Sequence, residues 1–229
     1  MKTSDALWCI VPAAGRGTRF GAEMPKQYVD VGGRPLLLRT LERLAECDSI
    51  GGLMVVLAED DAYWPRIGEL AGKEIRTAIG GAERSGSVLA GLLALPADVE
   101  ESDFVLVHDA ARPCVDVADI DRLVQLGCAA GGALLATPLR DTLKLADAQA
   151  RVQATEPRDA RWRALTPQVF RRAELTDALA SAAAEGVAIT DEAMAMERAG
   201  HSPLLVEGSE RNIKVTTAAD LELARFLLR

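Results

Sequence analysis

Histidine is nearly absent from this 229-residue chain, and its cysteines, aromatics and basic residues are few. Each shortage removes a class of function. With only His108 and His201 present, no Ser/His/Asp or Cys/His nucleophilic set is evident, and zinc has no ligand cluster. His108 beside Asp109 makes no metal site and reads as a hydrogen-bonded structural histidine. Cys9, Cys47, Cys114 and Cys128 stand apart without a C-x-x-C pair, three of them inside apolar runs, so they read as free thiols in a reducing cytosol. No apolar run reaches about 18 residues and no basic leader precedes one, so the expectation is a cytoplasmic protein without a membrane partner. Lysine and arginine number 26 against 34 acids, a net charge of -8. Such a surface repels phosphate backbones, so nucleic acid is not an expected partner and any polyanion site must be a local basic pocket.

What is present is a core and a rhythm. Hydrophobic residues make up 49% of the chain, enough for one large α/β domain spanning residues 1–229. Continuous apolar runs at Leu7–Val11, Leu53–Ala58, Phe104–Val107 and Ala133–Ala136 suit strands buried on both faces. Helical spacing falls between them, at Pro35–Glu46, Ser85–Leu95 and Ala118–Leu126. This alternation predicts a doubly wound, mainly parallel Rossmann-like sheet with its ligand crevice at the carboxyl ends of the strands. From about Leu139 to Ala164 the pattern lapses into charged, alternating residues, which predicts a projecting β-hairpin arm. The chain ends on a helix over Thr217–Leu228, capped by Thr217 with Asp220 three positions on.

After the first strand comes Pro12-Ala13-Ala14-Gly15-Arg16-Gly17-Thr18-Arg19-Phe20-Gly21, then Pro25-Lys26-Gln27-Tyr28. Glycines here let backbone amides approach an anion. The loop is neither G-x-x-x-x-G-K-[ST] nor G-x-G-x-x-G, because Phe20 occupies the third glycine position. A P-loop NTPase and a nicotinamide-binding turn both lose support. A tight turn with solvated arginines is the plain alternative, but Arg19 and Lys26 beside a backbone cradle suit a triphosphate better.

Pro12-Ala-Ala-Gly-x-Gly-x-Arg followed by Pro25-Lys-Gln-Tyr resembles the signature of sugar nucleotidyltransferases, and in its Pro-Lys-Gln-Tyr form the 2-C-methyl-D-erythritol 4-phosphate cytidylyltransferase family. Six later blocks resemble that family's motifs in its order: Gly80–Val88, His108–Pro113, Arg140–Lys144, Thr166–Gln168, Thr190–Ala193 and Asn212–Thr216. The resemblance implies an enzyme joining CTP to a small sugar-alcohol phosphate with release of pyrophosphate, in the non-mevalonate route to isoprenoid precursors. A ribitol 5-phosphate cytidylyltransferase would share the loop, and a non-catalytic nucleotide-binding protein would share the fold.

The same resemblance implies the residue roles. Arg19 and Lys26 match the cations that stabilise the transition state, and Arg158 and Lys214 those that hold the substrate phosphate. Pro12, Ala13, Ala14, Gly15, Gly17, Gly81, Ala82, Ser87, Asp109 and Ala110 match the nucleotide contacts. Asp109, Arg112, Thr142, Arg158, Thr166 and Lys214 match the acceptor site. Arg140, Thr142 and the stretch to Thr166 correspond to an arm that reaches a neighbouring subunit, which implies a homodimer. Mg²⁺ is expected on the CTP phosphates rather than in a protein cage. Asp191 and Glu192 also suit the first turn of a helix, where acids are favoured. Lys214 reads as lying in an apolar strand Ile213–Val215, and Trp64 and Trp162 as packing or interface residues.

Overall fold

The structure, a computed structural model, describes residues 6–15, 24–81 and 83–229. In chain order the elements are β1 (Leu7–Pro12), α1 (Leu36–Ala45), β2 (Ile50–Leu57), β3 (Glu69–Leu70), β4 (Lys73–Ile79), α2 (Arg84–Leu93), β5 (Phe104–Val107) and α3 (Val117–Ala130). There follow β6 (Gly132–Pro138), β7 (Leu143–Ala146), β8 (Val152–Glu156), β9 (Trp162–Arg171), α4 (Arg172–Ala184), α5 (Glu192–Arg198), β10 (Leu204–Glu207) and α6 (Ala218–Leu227). A 3-10 turn at Lys26–Tyr28 lies between β1 and α1.

Strand side chains alternate between faces, and β1 shows how that builds two cores. Cys9 and Val11 pack with Leu37, Leu41 and Leu44 of α1 and Ile120 and Leu123 of α3. Ile10, on the opposite face, packs with Val88 and Leu92 of α2, Leu175 and Leu179 of α4 and Met196 of α5. Both faces of the sheet are therefore covered, which is why its strands read as unbroken apolar runs. A third, smaller cluster puts Leu221 and Ala224 of α6 against Val31, Leu36 and Val215. Thr217 caps α6 in a reciprocal box with Asp220, as the sequence predicts.

The sheet has the order β10-β6-β9-β5-β1-β2-β4-β3. β1, β2, β4, β5, β6 and β10 run one way, so the sheet is mainly parallel; β3 and β9 run the other. The chain leaves β1 toward β2 and β4, then crosses back to lay β5 on the other flank of β1. That reversal puts a switch point at the carboxyl ends of β1 and β5. Gly80, just past β4, is required there: a Cβ at this position would lie 2.7 Å from both Ala14 Cβ and Ser87 Oγ.

Three expectations need correction. The arm is shorter than 139–164, because Trp162, Arg163 and Ala164 already belong to β9 and pair with Pro138, Thr137 and Ala136 of β6. What leaves the sheet is the β7–β8 hairpin, a separate two-stranded unit with exposed Leu145 and Val152. Ile213–Val215 is not a strand; Val215 makes one backbone bond, its N–H donating to Ala111 at 2.8 Å, and the segment has no regular structure where Lys214 lines the crevice. Pro35 is the N-cap of α1 rather than part of its first turn. Among the described residues no helix is long and apolar enough to cross a membrane. All four cysteines are free, and burial pushes the Cys47 and Cys114 thiols up to about 12 and about 11, leaving them unreactive at neutral pH.

Candidate active site

At the switch point a cavity of about 310 Å³ opens between the loop after β1, the loop between β4 and α2, and the loop after β5. Pro12, Ala13, Ala14 and Gly15 supply one wall, Gly81 and Ser87 another, and Asp109 and Ala110 the floor. Lys26 and Lys214 reach it from segments 188 positions apart in sequence, so the fold gathers cations that no local motif holds together. Gly17, Arg19 and Ala82 lie outside the described residues.

Lys26 is fixed by its neighbours. Its Nζ donates to the Val215 carbonyl at 2.8 Å, Gln27 Nε2 donates to the Ala13 carbonyl at 2.8 Å, and the Tyr28 hydroxyl donates to Asp61 at 2.7 Å. One short turn is thereby tied to the loop after β1, to the segment carrying Lys214 and to the loop after β2. Gln27 also lines the cavity, a role that sequence reading did not assign.

Asp109 is the electrostatic centre. It is only 6% exposed, yet Arg84 Nε and Lys214 Nζ each approach it to 2.9 Å and Arg112 Nε to 3.4 Å. Burial by itself would raise its pKa, but the Arg84, Lys214 and Arg112 charges outweigh burial and hold the carboxyl well below the usual carboxylate range. Arg84 is held in turn by Glu192, which is 0% exposed and takes both terminal nitrogens of the guanidinium, at 2.6 and 3.1 Å. Burial opposes the charge on Arg84 too, and the Glu192 and Asp109 carboxylates more than offset that, raising its pKa. Glu192 is thus no mere first-turn acid, whereas Asp191 stands just before the first turn as the N-cap of α5, accepting from Met194 N–H at 3.0 Å. Arg84 stands inside the Gly80–Val88 block, but its partner lies 108 positions away, a pairing that sequence spacing cannot disclose.

Beneath the floor, three hydrogen bonds link four groups in series. The Asp109 backbone N–H donates to Thr166 Oγ1 at 3.0 Å, and Thr166 Oγ1 lies 3.1 Å from His108 Nδ1. His108 Nε2 lies 3.1 Å from the Arg112 carbonyl, which can only accept. The neutral ring therefore carries its proton on Nε2, and the Thr166 hydroxyl donates to Nδ1. His108 is the structural histidine the sequence suggests. Its burial pushes the imidazole pKa down to about 4, the backbone bond to Arg112 and the Asp109 charge opposing only weakly. An unfolded histidine titrates near 6.5, so the unfolded state takes up the extra proton between about pH 6.5 and 4. Stability from this group is intact above pH 6.5 and is lost as pH falls to 4, by about 3 kcal/mol. Urea titrations across that window should show the slope in the wild type; a His108→Gln variant with an equal slope would exclude His108 as its source.

Arg112 supports the site from behind, donating to the Asn212 carbonyl at 2.7 Å, and Thr166 likewise lies under the floor rather than in the cavity. Thr142 and Arg158 do not line the cavity of their own chain. Thr142 precedes β7, and Arg158, between β8 and β9, bonds the Arg140 carbonyl. Trp64 packs at the edge of the core, while Trp162 is exposed at the start of β9.

Comparison with known proteins bears on the family and the fold. The model of the 2-C-methyl-D-erythritol 4-phosphate cytidylyltransferase family matches residues 7–229. The enzyme of that description from Stenotrophomonas maltophilia is 58% identical over 226 residues, covering 98% of this chain and 97% of its own. Among solved structures, 4-diphosphocytidyl-2C-methyl-D-erythritol synthase superposes with a TM-score of 0.84 at 34% identity, over 98% of this chain and 99% of that one. The 2-C-methyl-D-erythritol 4-phosphate cytidylyltransferase of Francisella tularensis gives 0.82 at 32% identity, over 97% and 99%. Likeness that runs from the first strand to the last helix, in sequence and in fold, places this chain in the 2-C-methyl-D-erythritol 4-phosphate cytidylyltransferase family.

Proposed function

We propose that this chain is a cytidylyltransferase joining CTP to 2-C-methyl-D-erythritol 4-phosphate, giving 4-diphosphocytidyl-2-C-methyl-D-erythritol and pyrophosphate in non-mevalonate isoprenoid precursor synthesis. The observation that carries the reading is the convergence of Lys26, Lys214 and Asp109 on one cavity beside the Ala13–Gly15 backbone. Two polyanions must meet there, and their repulsion is the barrier. A phosphate monoester is already ionised near neutral pH, its second pKa being about 6, so its oxygen attacks the α-phosphorus without a general base. The bond to the β-phosphate oxygen breaks in line and pyrophosphate leaves. That both ring nitrogens of His108 are engaged beneath the floor is in keeping with this baseless chemistry.

Pro12, Ala13, Ala14, Gly15, Gly81, Ser87 and Ala110 are assigned to the nucleotide, with Lys26 on its phosphates. Lys214 takes the acceptor phosphate, and Asp109 the acceptor's hydroxyls. Arg19, Gly17 and Ala82 keep the roles that resemblance gives them. Mg²⁺ suits a site whose acidic lining is Asp109 and Glu83, with the Asp109 oxygens already met by three cations. Its ligands then come chiefly from the triphosphate, and bound there it would neutralise developing phosphate charge. The hairpin, exposed and paired only with itself, is assigned to a two-fold partner, where Arg140, Thr142 and Arg158 would complete the neighbouring acceptor site.

Pyrophosphate release from CTP and Mg²⁺, measured in parallel with the erythritol phosphate and with ribitol 5-phosphate, tests the assignment. Turnover is expected with the first acceptor, in a species whose solution mass is that of two chains. Turnover with ribitol 5-phosphate alone would overturn the substrate, and a fully active monomer would overturn the shared site.

A further inference from the structure

Several motif blocks that look independent in the sequence are linked, through hydrogen bonds and the Asp191–Ala193 backbone, into one chain ending on Asp109. It starts at Gln168 of β9, which is 1% exposed. Gln168 Nε2 donates to Asp191 Oδ2 at 3.0 Å, and its Oε1 accepts the Ala193 N–H at 2.8 Å, so both sides of Glu192 are clamped to the sheet. Glu192 presents both oxygens to the Arg84 fork, and Arg84 Nε donates to Asp109 Oδ1 at 2.9 Å.

The remaining partners of Asp109 are poorer anchors. Arg112 reaches it only at 3.4 Å, and Lys214 does so from a side chain 41% exposed on a flexible stem. In the functional reading above, Lys214 also turns to the acceptor phosphate. Arg84 is then the contact that keeps Oδ1 in place, and among the described residues the two terminal nitrogens of its planar fork are held by Glu192. Charge points the same way. Glu192 and Asp109 face Arg84, Arg112 and Lys214, so losing the Glu192 charge leaves Asp109 alone among three cations.

We propose that Glu192 is a positioning residue that acts through Arg84 to fix the Asp109 carboxylate, with Gln168 and Asp191 holding Glu192 in place. The proposal rests on the cytidylyltransferase reading for the second task of Lys214 and for its kinetic consequence.

The test is Glu192→Gln in the full-length protein, with Arg84→Lys and the double variant, assayed with CTP, Mg²⁺ and the erythritol phosphate. Misplacing Asp109 should lower kcat about 10- to 100-fold while KM for CTP stays within about twofold. Because both residues act on one target, the double variant should be no slower than the slower single one. In parallel, the Arg84 Nε–H resonance, assigned by its loss in Arg84→Lys, should shift in Glu192→Gln and exchange with water at least about tenfold faster. Should Glu192→Gln fail to fold, Glu192→Asp keeps the charge, withdraws it by one methylene and carries the same expectations at reduced size. Wild-type kcat and KM in the variant, multiplicative losses in the double, or an unmoved Arg84 resonance would each overturn the proposal. A wild-type protein silent with this acceptor would instead refute the substrate reading, and the resonance would still decide the positioning.

Discussion

Replacing Lys26 by alanine should lower kcat by about 10²- to 10³-fold, the loss that follows removal of one preorganised charge donor to a transition state. The fold should survive it. Gln27 and Tyr28 keep the turn in place through Ala13 and Asp61, and the bond from Lys26 to the Val215 carbonyl is worth about 1 kcal/mol. Steady-state kinetics paired with thermal unfolding would show both halves. An unchanged rate would remove Lys26 from the mechanism. A collapse in melting temperature to match the lost rate would make the residue structural.

Asp109→Asn is expected to damage both rate and stability. Asparagine keeps the shape of aspartate but leaves Arg84, Arg112 and Lys214 facing no carboxylate at the cavity floor, and removing one member of a buried ionic cluster costs about 3–5 kcal/mol. The pH dependence carries the signature. Asp109 is held below the usual carboxylate range in the folded protein, so its contribution is fully present above the unfolded value near 4 and is lost only as pH falls further. Chemical denaturation should therefore separate wild type from variant at pH 7, and the gap should narrow below pH 4, a window distinct from that of His108. A constant gap down to pH 3 would assign the loss to something other than this charge. Turnover in the variant should fall about 10²-fold or more, since the group that orders three cations is gone.

Much of this was legible in the residues. Phe104–Val107 is a strand with the bounds its apolar run suggests, and the Thr217–Asp220 box opens the last helix. Helix α3 runs on past Leu126 to Ala130, where Gly131 ends it at φ 84°. Two of the strands that escaped notice share a cause. β4 reads Lys-Glu-Ile-Arg-Thr-Ala-Ile and buries only Ile75, because it lies one strand from the sheet edge. β10 is four residues at the opposite edge, with Val206 alone buried. β9 is central, but Pro167 argues against a central strand, and the structure accommodates it where the β6–β9 register slips between Leu134 and Ala136. At the site, the loop residues and Lys214 were visible through motif likeness, whereas Arg84–Glu192 depends on tertiary approach alone.

The reversed strand has a consequence for how the protein is made. β5 and β6 are not hydrogen-bonded to each other; β9 fills the slot between them, and it brings Thr166 under Asp109. A nascent chain emerging from the ribosome as far as Pro138 has already synthesised the phosphate loop, Lys26 and Asp109, yet it carries two open strand edges facing an unfilled gap. The floor beneath Asp109 closes only after the hairpin has been made and the chain has doubled back, so Asp109 waits for a threonine made 57 positions later.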